Sequence, residues 1–201
     1  FSSDATNLVD GDNNTKADIF VHDLLTGYTE RVNVSSSEVE ANATAWEPSI
    51  SADGNLVVFS SGATNLVADD ANAALDVFVR DRQAGTTFLA TVNTNGEQAD
   101  RGGSEGFLSA SGRYVVFSSH SENLISDDIY GYTQAFRHDL LTGEKLAAVV
   151  TSSRIAALER EGDTLFTLDA TRALTAYDIG DGTFDRRGSL SIPGSPASLF
   201  V

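Results

Sequence analysis

Short apolar runs rich in β-branched and aromatic residues alternate with turn-forming residues along the chain, as in Leu56-Val57-Val58-Phe59 and Thr164-Leu-Phe-Thr-Leu168. No stretch holds a 3.6-residue apolar period long enough to compete, so the pattern predicts strands rather than helices. Ala52-Asp53-Gly54 and Ala110-Ser111-Gly112 supply one kind of turn, and Asp23-Leu-Leu-Thr-Gly27, Asp81-Arg-Gln-Ala-Gly85 and Asp139-Leu-Leu-Thr-Gly143 supply a second, started by an Asx residue. Tight turns between successive strands make them antiparallel neighbours. Between 47 and 92 the spacing predicts strands over 47–51, 55–61, 75–81 and 86–92, a four-stranded meander.

The meander recurs. Phe1-Ser-Ser-Asp-Ala-Thr-Asn-Leu-Val9 returns as Phe59-Ser-Ser-Gly-Ala-Thr-Asn-Leu-Val67 and as Phe117-Ser-Ser-His-Ser-Glu-Asn-Leu-Ile125, each copy 58 residues after the last. At the same offset Asp18-Ile-Phe-Val-His-Asp23 matches Asp76-Val-Phe-Val-Arg-Asp81 and Gln134-Ala-Phe-Arg-His-Asp139, and Pro48-Ser-Ile-Ser-Ala-Asp-Gly54 matches Gly106-Phe-Leu-Ser-Ala-Ser-Gly112. A single four-stranded sheet cannot bury both faces, so repeated sheets are expected to stack radially as the blades of a β-propeller. After Val150 the repeat stops, yet Arg154-Ile-Ala-Ala-Leu158, Thr164-Leu-Phe-Thr-Leu168, Leu174-Thr-Ala-Tyr-Asp178 and Arg187-Gly-Ser-Leu-Ser-Ile192 still read as four strands. From Gly143 to Gly182 is 39 residues rather than 58, which makes a blade without its long loops, closed by the turn Asp178-Ile-Gly-Asp-Gly182.

The expected organisation is one all-β propeller domain or fragment over 1–201. Its repeat units cover about 1–58, 59–116 and 117–150, followed by a shorter divergent blade over 151–195 and the start of a further blade at 196–201. The first and last residues fall inside blades, so these four are expected to be part of a larger ring of about six to eight.

Acidic residues outnumber basic ones 29 to 13, for a net charge of −16, which disfavours a nucleic-acid partner. No apolar run reaches the length of a membrane helix. With no Cys there are no disulfides, thiolate metal sites or Cys nucleophiles.

Pro48-Ser-Ile-Ser-Ala-Asp-Gly54, Leu56-Val-Val-Phe-Ser-Ser61 and Asp76-Val-Phe-Val-Arg-Asp81 resemble the TolB-like, WD40-like (PD40) propeller repeat over residues 1 to about 150. The shorter blade is more similar to LVIVD-type repeats. In the TolB-like family these motif residues are architectural. The resemblance implies a propeller and a bacterial secreted, periplasmic or envelope setting, and it implies no reaction.

The loop before the third strand carries the most chemistry: Asp12-x-Asn14-x-x-x-Asp18 in the first unit and Asp70-x-Asn72-x-x-x-Asp76 in the second, flanked by Asp10 and Asp69. Several hard oxygen ligands in one loop suit Ca²⁺. The same residues also suit Asx turns that shape the loop, and the third unit replaces two of them with Tyr130 and Gln134. His22 and His138 share a repeat position that Arg80 fills in the second unit, which reads as a solvated strand position; His120 reads as a solvent-facing loop residue. The recurring Phe-Ser-Ser comes with the fold, and no Gly-x-Ser-x-Gly elbow is present, so no catalytic residue is assigned. Trp46, the single tryptophan, stands near the converging loops, where it could stack on a partner or pack between blades. Arg186-Arg187 reads as a solvated turn or a salt bridge to a neighbouring blade.

The expected function is a non-catalytic extracytoplasmic binding module that presents its loops to a protein or glycan. The alternative is the propeller portion of a secreted hydrolase or polysaccharide lyase whose catalytic residues lie largely elsewhere.

Overall fold

The computed structural model describes residues 1–125, 133–142, 145–149, 155–161, 163–169, 173–179 and 186–191. Every regular element in it is a strand. The first sheet holds β1 (Ser2–Ser3), β2 (Asp18–His22) and β3 (Thr29–Arg31). The second holds β4 (Ala45–Ile50), β5 (Leu56–Ser61), β6 (Asp76–Asp81) and β7 (Thr86–Leu89). The third holds β8 (Ser104–Leu108), β9 (Tyr114–Ser119), β10 (Gln134–Asp139) and β11 (Lys145–Val149). The fourth holds β12 (Ile155–Glu161), β13 (Thr164–Asp169), β14 (Ala173–Asp178) and β15 (Arg186–Ser191). In each sheet the strands lie side by side in chain order and every pairing is antiparallel.

The sheets stack face to face, which explains why their strands read as unbroken apolar runs. Neighbouring residues on β5 point to opposite faces. Val57 and Phe59 pack with Phe78 against Ile19 and Val32 of the first sheet. Val58 turns the other way and joins Val77 and Val79 against Leu108, Val115, Phe117 and Phe136 of the third. Val116 and Ala135 then meet Ile155 and Leu165 of the fourth. A stacked cross-strand aromatic pair marks each repeat: Phe1 on Phe20, Phe59 on Phe78 and Phe117 on Phe136, with ring centroids 5.7, 5.9 and 5.7 Å apart.

Both turn types form as the sequence predicts. Gly54 and Gly112 take φ of 73° and 72°, and each donates its N–H back to the carbonyl of Ser51 or Ser109 at 2.9 Å. In the Asx turns, Asp23 Oδ1 accepts from Leu25 N and Thr26 N at 2.8 and 3.1 Å, and Asp139 Oδ1 accepts from Leu141 N at 2.9 Å. Residues 180–182 of the turn expected at 178–182 and the segment 196–201 lie outside the described residues.

Two expectations change. The inner strand of the second unit begins at Ala45 rather than residue 47, because a bulge between Trp46 and Ser49 lets the pairing run on. Glu47 sits in this bulge at φ 54°, and its repeat partner Glu105 does the same at φ 55°. The shared position of His22, Arg80 and His138 is solvent-facing only in the first unit. Arg80 is buried, with Nη2 2.5 Å from Glu38 Oε1 and Nη1 3.4 Å from Ser35 O, and His138 is buried with Nδ1 3.3 Å from Ala90 O. In both cases the preceding unit covers the side chain.

Candidate functional site

The three units can be compared position by position, so a residue that departs from the repeat stands out against its own copies. Such departures converge at one end of the third sheet. A pocket of about 320 Å³ is lined there by Arg101, Ser104, Glu105, Ser118, His120 and Thr133, with Leu75 and Ile155 from the adjoining sheets. Fifty-eight residues earlier, at the second sheet, the positions of Arg101, Ser104, His120 and Thr133 hold Ala43, Trp46, Gly62 and Leu75, and in the first unit the last two positions hold Asp4 and Ala17. Relative to the second sheet all four changes run from apolar or small to polar, whereas Glu105 and Ser118 keep the repeat residues Glu47 and Ser60.

The pocket is built on strand ends. Ser104 opens β8 and its hydroxyl lies 3.2 Å from that of Ser118, near the end of β9. Thr133 precedes β10, is buried, and places its Oγ1 3.2 Å from His120 Nε2. Arg101 reaches Glu122 at 2.8 Å and lies exposed at the rim beside His120. Glu105 is held in its left-handed conformation by its N–H bonding Glu47 Oε2 at 3.0 Å, a carboxylate that also accepts from Ser60 Oγ at 3.0 Å. Glu47 takes the same conformation one repeat earlier, so this strained backbone belongs to the bulge of the repeat. Sequence reading placed His120 in solvent, and it is exposed; what it missed was the company of Arg101, Ser104 and Thr133.

A larger cleft of about 680 Å³ is lined mainly by apolar residues, among them Phe1, Leu8, Val21, Pro48, Ile50 and Val57. Phe1 is 54% exposed, Leu8 37% and Ile50 42%, but their repeat partners Phe59, Leu66 and Leu108 are buried. Between the second and third sheets Leu56 and Val58 fill the equivalent space, packed with Val79, Leu108 and Val115. The cleft therefore lies over positions that are core in the next repeat, and its lining follows the architecture.

The acidic loops are partly assembled into sites. Asp12 and Asp18 come together with Glu40, a residue the motif did not include, and one ligand oxygen from each lies within 4.8 Å of the others. Arg31 inserts between them, with Nη1 3.7 Å from Asp12 Oδ1, 3.4 Å from Asp18 Oδ2 and in contact with Glu40 Oε1. Asn14 Nδ2 and Asn33 Nδ2 bond Asp18 Oδ1 at 3.1 and 2.5 Å. Burial pushes the Asp12 carboxyl up, Asp18 adds to the shift, and Arg31 opposes it. Asp10 is exposed and outside the cluster.

In the second unit Gln98, the partner of Glu40, bonds Asp70 Oδ1 and Asp76 Oδ2 through Nε2 at 2.8 and 3.1 Å. Leu89 stands where Arg31 does. Burial pushes the Asp76 carboxyl up to about 6, against the pull of hydrogen bonds from Thr91, Asn72 and Gln98. Asn72 Oδ1 accepts from Ala74 N at 2.8 Å, the Asx turn expected of it, and Asp69 is exposed. Trp46 is half-buried on β4 opposite Ser60. Arg187 pairs with Asp178 of its own sheet rather than a neighbouring one, and Arg186 bonds Ser189.

No protein-family model matches the sequence, and no curated protein matches it. Solved structures do. The β-propeller domain of the Trilobed protease from Pyrococcus furiosus is 13% identical at a TM-score of 0.50, over 75% of this chain and 43% of that one. A TolB candidate from Agrobacterium tumefaciens is 13% identical at 0.52, over 88% and 58%. The Dos1 propeller is 14% identical at 0.52, over 91% and 41%. The chain thus spans less than two thirds of each of these structures. At such identities the likeness concerns architecture, and with four antiparallel sheets stacked face to face, the chain has the β-propeller fold.

Proposed function

We propose that this chain is the binding module of an extracytoplasmic protein, and that the pocket of Arg101, Ser104, Glu105, Ser118, His120 and Thr133 receives a sugar residue of a glycan. The observation that carries this reading is the convergence in one pocket of four polar residues where the second sheet has apolar or small ones. Residues that recur with the blades maintain the blades; residues that depart from them together, in a concave site, serve something else.

The chemistry favours a polyol. A sugar hydroxyl both donates and accepts, so its site needs groups of both kinds. Arg101 and the ring of His120 are donors, the Glu105 carboxylate accepts, and the hydroxyls of Ser104, Ser118 and Thr133 do either. The net charge of −16 disfavours highly anionic polymers over most of the surface, which leaves neutral or weakly acidic glycans. The extracytoplasmic setting rests on the resemblance of the repeat to the TolB-like family.

Titration calorimetry against a panel of mono- and oligosaccharides tests the reading, with Arg101→Ala and His120→Gly as variants. Both restore the residue found 58 positions earlier, Ala43 and Gly62, so the fold tolerates them. Binding in the micromolar to millimolar range by the parent, weakened at least tenfold in the variants, supports the proposal. Equal binding by the variants, or none by the parent, refutes it.

A further inference from the structure

The first two units differ at two linked positions, and the difference conserves charge. In the first, Asp12, Asp18 and Glu40 surround Arg31: three carboxylates and one guanidinium. In the second, the positions of Arg31 and Glu40 hold Leu89 and Gln98, leaving Asp70 and Asp76 with an amide between them. One positive and one negative group are exchanged together, and with the carboxylates ionised each cluster keeps a net charge of −2. Each cluster has a buried part and a half-buried rim: the Asp12 side chain is 1% exposed and Asp18 and Asp76 are fully buried, while Glu40 and Asp70 are half-buried. An uncompensated buried charge of that size is costly, and its preservation by different residues in two copies calls for a compensating partner.

A second observation points the same way. Asp12 Oδ1 is buried and accepts no hydrogen bond, its cationic neighbour Arg31 Nη1 standing off at 3.7 Å, and an oxygen of Asp12 converges with those of Asp18 and Glu40. Oxygens bound to one Ca²⁺ at about 2.3–2.6 Å can lie no more than about 5 Å apart. The three ligand atoms fall within 4.8 Å of one another.

We infer that each of the first two units binds one divalent cation of the Ca²⁺ type, through Asp12, Asp18 and Glu40 in the first and through Asp70, Asp76 and the side-chain carbonyl of Gln98 in the second. A dication brings each cluster to neutrality. The donor set is oxygen alone, with no His or Cys, which suits a hard cation over a transition metal. To admit it, the Arg31 guanidinium withdraws toward the carbonyl of Gly11, which its Nη2 already reaches at 3.2 Å, and the Gln98 amide turns over to present its oxygen. The third unit has Gln134 in place of the buried Asp and Tyr130 in place of the loop Asn, and it is assigned no cation. The ions would tie the loop before β2 and β6 to the segment after β3 and β7, independently of the sugar pocket.

Calorimetric titration of the EDTA-stripped protein with CaCl₂ reads the stoichiometry directly. The inference predicts two ions per chain, one lost in Asp12→Asn and the other in Asp70→Asn. Both substitutions relieve repulsion, so in EDTA the variants should melt no lower than the parent while losing half of its Ca²⁺-induced rise in melting temperature. Arg31→Leu, which copies the second unit, should melt lower in EDTA and be restored by millimolar Ca²⁺. Absence of binding by the parent at millimolar Ca²⁺, two ions retained in both Asn variants, or no restoration of Arg31→Leu would each overturn it.

Discussion

Arg113 grips a single oxygen of Asp139, with Nε at 3.1 Å and Nη2 at 2.8 Å from Oδ2, while Oδ1 of the same carboxylate holds the Asx turn after β10. Burial by itself raises the Asp139 pKa, but the Arg113 hydrogen bonds and the N–H groups of Leu141 and Thr142 outweigh it and hold the carboxyl at about 2. The folded value lies below the unfolded one of about 3.9. The interaction therefore stabilises the protein fully above about pH 4 and is lost as the pH falls toward 2. Because the guanidinium is 44% exposed, screening reduces the effect to about 1–2 kcal/mol. Denaturant unfolding at pH 7 and pH 3 should show Asp139→Asn losing that amount relative to the parent at the higher pH and about half of it at the lower. An equal deficit at both would show that the ionised carboxylate is not what matters.

The aromatic pairs predict a graded response along the stack. Phe59 is fully buried, and Phe59→Ala should cost about 3–5 kcal/mol. Phe1, in the same repeat position but 54% exposed, should cost less than about 1 kcal/mol when replaced by Ala. Equilibrium denaturation of the two variants measures both, and similar losses would contradict the stacking of the sheets described above.

Gly106 sets how closely the third sheet approaches the second. A Cβ there would lie 2.7 Å from Val77 Cγ1 and 2.8 Å from Val58 Cγ2, both in the core between the sheets. Gly106→Ala is expected to destabilise by about 1–3 kcal/mol through overpacking. Combined with Val58→Ala, which removes one of the two clashing methyl groups, it should cost less than the sum of the two single losses. A purely additive double variant would place the strain elsewhere.

Most of the fold was legible because a repeat repeats its errors as well as its signals. The strands of the second unit fall within three residues of their expected ends, and the shorter fourth sheet forms from the four segments read as strands. The onset of β4 was missed because a bulge formed by a left-handed Glu47 leaves no mark in an alternation pattern. The burial of Arg80 and His138 was missed because residues of the preceding unit cover them, a contact invisible within one repeat.

The candidate sites were legible in part for the same reason. The motif Asp12-x-Asn14-x-x-x-Asp18 is local, whereas Glu40 and Arg31 reach it only once β2 and β3 pair. The pocket at Arg101, Ser104, His120 and Thr133 was within reach of the sequence. Scoring the copies for coordinated departures toward polarity, rather than for likeness, would have found it.

The account holds that ligand recognition lies where the third unit breaks the repeat, and hydrogen–deuterium exchange with and without a bound oligosaccharide tests this most directly. It predicts that added protection is confined to the amides around 101–105, 118–120 and 133. Protection centred instead on the acidic loops at 10–14 and 69–72, with the third unit unchanged, would contradict it.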